Sequence, residues 1–130
     1  MIMTTKTANN NNEEIKANLE AIKIAKVCAE AASDKKANDV LILDVAKLTS
    51  FTDIIVICSA PSERQVQAIV RNVEDALLKY KVKPLGVEGL QTSSWVLMDL
   101  DDVVFHCFTD SAREYYDLEG FWIDAKKIDF

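Results

Sequence analysis

Asp99 and Asp101 stand two residues apart in a run that ends at His106, the only histidine of the chain. On a regular strand that spacing points both carboxylates the same way, and a carboxylate pair is what a metal-dependent nucleotidyl or phosphoryl transferase uses to hold its cation. The same residues have a plainer explanation. Asp is common in turns because it tolerates left-handed backbone and bonds its own amides, and Trp95-Val-Leu-Met-Asp-Leu-Asp-Asp-Val-Val-Phe-His106 reads as two strands around an acidic turn. Nucleophilic catalysis would need a base beside a Ser or Cys, yet His106 has no local partner motif. A lone strand histidine is more often a structural hydrogen-bonding group or a contact residue. Ser59-Ala-Pro-Ser62 could offer amides to a phosphate at a helix start, but it lacks the glycine-rich loop and lysine of a Walker motif. Helix capping accounts for it better.

The two faces of the strand pair differ. Val96, Met98 and Leu100 share one side, and Trp95, Leu97 and Asp99 share the other. With a two-residue turn at Asp101-Asp102, or a tighter register around Leu100-Asp101, Val103 and Phe105 join the apolar side while Val104 and His106 join Trp95. A three-residue loop would break that match. The second side therefore collects a Trp, a His and an Asp, which suits binding better than core. Tyr115 and Tyr116 add to this, since two neighbouring tyrosines cannot both point inward from a short helix. Arg113, Glu114, Asp117 and Glu119 surround them with charge, the composition of an interface hot spot. Trp122 is the remaining conspicuous aromatic.

The elements that must position these residues follow from periodicity. Glu13 to about Ala32 contains neither Gly nor Pro and predicts a helix with Ile15, Leu19 and Ile22 on its apolar side. Asp39–Asp44 reads as a strand wanting cover on both faces, and Ile54–Cys58, the most β-branched segment, as the central strand. Pro61 suits the first turn of the next helix, and Ser62 with Gln65 a capping box. Val66, Ile69, Val70, Val73, Leu77 and Tyr80 then recur at helical spacing. A short strand near Leu85 to Glu88 leads to Gly89 and the strand pair, and Asp110–Asp117 gives a short helix before an extended tail. The order is α-β-β-α-β-β-β-α. Two substantial helices cover one sheet face but hardly both, so the other is expected to be solvated or used.

A chain of 130 residues with 49% apolar content is one ordinary domain, and we expect a disordered polar tail over residues 1–12 and a single α/β domain over 13–130. The net charge of −6 argues against a general nucleic-acid binder and favours a basic protein partner. Cys28, Cys58 and Cys107, odd in number and set in apolar runs, resemble buried free thiols, which fits a reducing cytosol. No apolar run is long enough to cross a bilayer, and the first residues lack the features of a presequence or signal peptide.

Asp39-Val-Leu-Ile-Leu-Asp44, Thr52-Asp53 before an apolar strand, Ser62-Glu-Arg-Gln65 with Ala68-Ile69, and Val87-Glu-Gly89 resemble the ribosomal silencing factor family, also called Iojap. The later motifs are more specific: Trp95-Val-Leu-Met-Asp99, Asp102-Val-Val-Phe-His106, Arg113-Glu-Tyr-Tyr-Asp-Leu-Glu119 and Trp122-Ile-Asp-Ala125 match in order and spacing. The resemblance runs from about Leu19 to Ala125. Asp101 stands where the family usually has a turn glycine, Ala60 also replaces a common glycine, and Gly120-Phe121 precedes Trp122 in place of a polar residue and Leu. The resemblance implies a single mixed sheet with two main helices on one face, a nucleotidyltransferase-like topology without the catalytic equipment, no cofactor, and often a homodimer. It also implies binding to the fourteenth protein of the large ribosomal subunit, on the surface facing the small subunit, so that subunit joining is blocked. Carried over by position, the contact surface centres on Trp95, with Asp99, His106, Tyr115, Tyr116 and Glu119 as neighbours or supports.

Overall fold

Asn18 sets where the first helix begins. Its side chain accepts from the Ala21 amide at 2.7 Å, the N-cap bond that satisfies one orphan donor of a first turn, and helix α1 (Leu19–Asp34) follows. The computed structural model describes residues 17–130. The expected tail over residues 1–12 and the expected helical start at Glu13 lie outside that range, while Ala17 and Asn18 are not helical. The buried face of α1 also differs from the expected stripe. It consists of Ala21, Ala25, Cys28, Ala29, Ala31 and Ala32, while Leu19 is 84% exposed and Ile22 only partly buried. Small side chains bring the helix backbone close to its neighbours, where a Leu and Ile stripe would hold it away.

Helix α2 (Glu63–Lys79) starts at Ser62, whose hydroxyl accepts from the Gln65 amide at 3.2 Å. The Gln65 side chain meets that hydroxyl rather than reaching back to the backbone, so only one half of a capping box forms, and Pro61 precedes the cap instead of lying in the first turn. Val66, Ile69, Val70, Val73 and Leu77 are buried as the spacing predicts. Tyr80 is not, because it caps the C-terminus and faces solvent.

The strands are β1 (Asn38–Asp44), β2 (Ile54–Ala60), β3 (Gly86–Glu88), β4 (Trp95–Asp99), β5 (Val103–Thr109) and β6 (Lys126–Lys127), with short helices α3 (Asp110–Tyr116) and α4 (Leu118–Phe121) between the last two. They form one mixed sheet in the order β3-β4-β5-β2-β1-β6. Every residue of β2 is buried, as its β-branched sequence predicts. It runs parallel to β5 and antiparallel to β1. Leu97 pairs with His106, and the Leu100 amide donates to the Val103 carbonyl at 2.8 Å, leaving a two-residue turn at Asp101-Asp102. Asp101 takes φ 75°, and its amide donates to Asp99 Oδ1 at 2.9 Å. Asp thus does what a glycine would do there, at the modest cost expected of a residue that tolerates the left-handed region. The even count puts Trp95, Leu97, Asp99, Val104 and His106 on one face.

Helices α1 and α2 pack on the opposite face, over Ile42, Ile54, Val56, Val96, Met98, Val103 and Phe105. The second face, expected to be solvated or used, is covered over part of its area by the C-terminal segment. After β5 the chain folds back through α3 and α4, and β6 pairs with Leu43 and Asp44 of β1. A second cluster of Leu43, Val45, Ile55, Ile57, Phe108 and Trp122, flanked by Ala112, Leu118 and Ala125, fills that side. Trp122 is therefore core. Elements of four and two residues carry no readable period, so α4 and β6 are absent from the sequence expectation.

Candidate functional site: an aromatic contact face

At the Trp95 end of the second face the accessible residues are aromatic, and their exposure rises in steps. Phe108 is fully buried. Trp95 is half-buried and stacks on it with ring centroids 4.9 Å apart. Tyr116 lies 4.7 Å from Trp95 and is 52% exposed, and Tyr115 meets Tyr116 edge-on at 5.0 Å and is 81% exposed. Offset and edge-on arrangements are those favoured by the ring quadrupole.

Trp95 is held at both ends. Its indole N–H donates to His106 Nδ1 at 3.0 Å, which requires a neutral imidazole whose proton sits on Nε2. Burial does the rest, pushing the His106 pKa down from 6.5 to about 4. On the backbone side, Gly89 has φ 89° and lies so close that an added Cβ would overlap the Trp95 carbonyl oxygen. Only glycine fits that conformation and that approach. The Thr109 amide donates to the Ser94 carbonyl at 2.9 Å, next to the Trp95↔Phe108 pair.

The tyrosines are positioned by Arg113. Its Nη1 donates to the Asn38 carbonyl at 3.0 Å and to Ser59 Oγ at 3.2 Å, and Nη2 donates to the Asp39 carbonyl at 2.8 Å and to Glu119 Oε2 at 2.9 Å. These carbonyls are available because β1 slips register between Asn38 and Leu41 and Asp39 takes φ 47°, the signature of a bulge. Asp117, with φ 46° and ψ 54°, ends α3 and caps α4. The chain therefore turns sharply just after the Tyr pair.

Of the six residues expected at the contact surface, Trp95, His106, Tyr115 and Tyr116 come together. His106, only 6% exposed, is a support for Trp95. Glu119 is separate and pairs with Arg113, so its place is in positioning α3. Asp99 lies on the same face as Trp95, about 13 Å further along the strand at strand rise, with its Oδ1 occupied by the turn amide. Asp101 lies in the turn at φ 75° rather than on the strand, so the parity behind the metal-pair reading of Asp99 and Asp101 does not apply, and among the described residues no group of three or more His, Cys, Asp or Glu is placed to hold a metal. Sequence reasoning missed Phe108 and the anchoring role of Arg113. Phe108 was findable as the next position after His106 on the same face, whereas nothing local connects Arg113 to β1. The three cysteines are buried free thiols. Burial pushes the Cys28 thiol up to about 12, and Cys58 is raised well above its ordinary value first by its hydrogen bond with the Cys107 thiol and then by burial.

A mixed-sheet α/β domain with two helices on one face and a partly exposed aromatic patch on the other is the class this architecture defines. The sequence profile of the family described as "Ribosomal silencing factor during starvation" matches residues 18–130. The chain is 41% identical over 106 residues to ribosomal silencing factor RsfS of Bacillus subtilis, covering 82% of this chain and 90% of that protein. It is 34% identical over 116 residues to the chloroplastic protein Iojap of Arabidopsis thaliana, covering 89% of this chain and 48% of that one. A crystal structure of a Chromobacterium violaceum protein superposes with a TM-score of 0.78 at 37% identity, covering 86% of this chain and 92% of the other. The chain belongs to the ribosomal silencing factor family.

Proposed function

We propose that the protein is a translational repressor that binds the large ribosomal subunit through its fourteenth protein and sterically blocks joining of the small subunit. The observation that carries this reading is the graded aromatic patch, in which buried Phe108 and half-buried Trp95 back the exposed Tyr116 and Tyr115. Preorganised aromatics amid polar residues are the composition of an interface hot spot. Trp95, Tyr115 and Tyr116 make the contact, His106 and Glu119 hold it in shape, and Asp99 lies toward its edge. The net charge of −6, with Glu114 and Asp117 exposed beside the tyrosines, steers and orients a basic ribosomal protein. The repressor performs no reaction and uses no cofactor, works in the cytoplasm, and needs only the single domain that begins near residue 13. A homodimer formed on the same face would compete with the ribosome, and crosslinking before and after adding large subunits reads that competition.

The test is sedimentation with isolated large subunits. Trp95→Glu should lose roughly 2 kcal/mol or more of binding, about thirtyfold in affinity. Because Trp95 also has a structural side, Tyr115→Ala combined with Tyr116→Ala provides an independent variant on exposed positions. Undiminished pelleting by both folded variants would overturn the assignment.

A further inference from the structure

Next to the aromatic patch, sharing His106 and Asp99 with it, is a pocket of about 460 Å³ whose sheet floor takes no part in the proposed docking. Its floor is the sheet itself, through Ile55, Leu97 and Val104, and Leu118 and Phe121 of the returning segment stand at its side. Its two ionisable members are Asp99 and His106. The volume is that of a small-molecule site, and an apolar cavity with few placed polar groups is the usual form of one.

His106 brings a polar group to the pocket. It is 6% exposed, and its Nδ1 is taken by the Trp95 indole, which leaves the N–H on the other edge of the ring, turned away from Trp95. That N–H has no acceptor among the described residues. Buried donors are almost always paired, so a buried donor beside an apolar pocket marks where an acceptor belongs. Asp99 supplies the opposite pole. It pairs across the strands with Val104, which places it diagonally from His106 at about 7–8 Å, and one carboxylate oxygen remains after Oδ1 takes the turn amide.

We propose that this pocket binds a small two-ring heteroaromatic amine, flat against the sheet, with a ring acceptor at His106 Nε2–H and an amino group donating to Asp99. An anion of the same shape is disfavoured by the Asp99 carboxylate, and a plain hydrocarbon leaves the His106 donor unpaired. Binding does not depend on the ribosome, so the pocket and the docking face succeed or fail separately.

The experiment is an NMR titration of the ¹⁵N-labelled full chain at neutral pH with 6-aminoquinoline, quinoline-6-carboxylate and 2-methylnaphthalene. The amine should give saturable shifts centred on Leu97, Val104 and Leu118, and the carboxylate should bind at least tenfold more weakly, the hydrocarbon several-fold. Asp99→Asn retains an acceptor for the turn amide and should narrow the amine-over-carboxylate preference about tenfold. Val104→Trp fills the pocket from a half-buried position and should abolish binding. Absence of saturable shifts at the pocket, equal binding of amine and hydrocarbon, or undiminished binding by a folded Val104→Trp would each overturn the proposal.

Discussion

On the helix-covered face, Val96, Met98, Phe105 and Cys107 are completely buried, whereas across the same two strands Trp95, Leu97, Asp99 and Val104 are only partly so. The first set is packed against two long helices, of which α2 is buried along the stripe its sequence period predicts. The second is covered by α3, α4 and the tail, held by Arg113 and a few aromatic contacts. One strand pair thus serves both as core and as surface, and alternation lets the two be adjusted almost independently. Apolar volume is what the helix face requires. Geometry is what the other face requires, and hydrogen bonds such as Trp95 to His106 supply it.

Four measurements test that division. Phe105→Ala should cost about 4 kcal/mol of stability by urea unfolding, because a fully buried Phe leaves a cavity that long helices cannot close. Arg113→Ala should cost about 3 kcal/mol, since it strands the Asn38 and Asp39 carbonyls and the Glu119 carboxylate; Arg113→Lys should recover only part, lacking the planar fork. A pH-dependent effect of similar size belongs to His106. Its folded pKa of about 4 lies below the ordinary 6.5, so between those values the unfolded chain binds the extra proton. Stability should therefore fall as pH drops from about 6.5 to about 4, by roughly 3 kcal/mol in full, and a His106→Phe variant should show a shallower acid limb over that window. Tyr115→Ala with Tyr116→Ala should have the least effect on stability, within about 1 kcal/mol, while large-subunit binding falls more than tenfold. A Tyr pair whose loss destabilised the fold as much as Phe105→Ala would erase the distinction between the faces.

Much of this was legible in the sequence where a period of 2 or 3.6 is long enough to read. The stripe of α2 and the central place of β2 follow from spacing, and so does the parity that puts His106 on the Trp95 face once the turn has its two residues. The motifs from Trp95 to Ala125 place the chain in its family. What escaped has physical reasons. The α1 stripe was misjudged because Ala is nearly neutral in a hydrophobicity pattern yet decisive in close packing. The covering of the second face was missed because α4 and β6 are too short to show a period and Trp122 becomes core only through their return. The separation of Glu119 from the tyrosines depends on Arg113 reaching a bulge in β1, a contact across more than seventy residues that no local pattern encodes.

The outermost strands are β3, three residues long, and β6, two lysines. So little free backbone at either border, charged on one side, gives an incoming chain almost no ladder to extend. Crowding many copies together should therefore not zip them edge to edge into fibres, and heating a concentrated sample should yield amorphous precipitate before it yields ordered cross-strand assemblies.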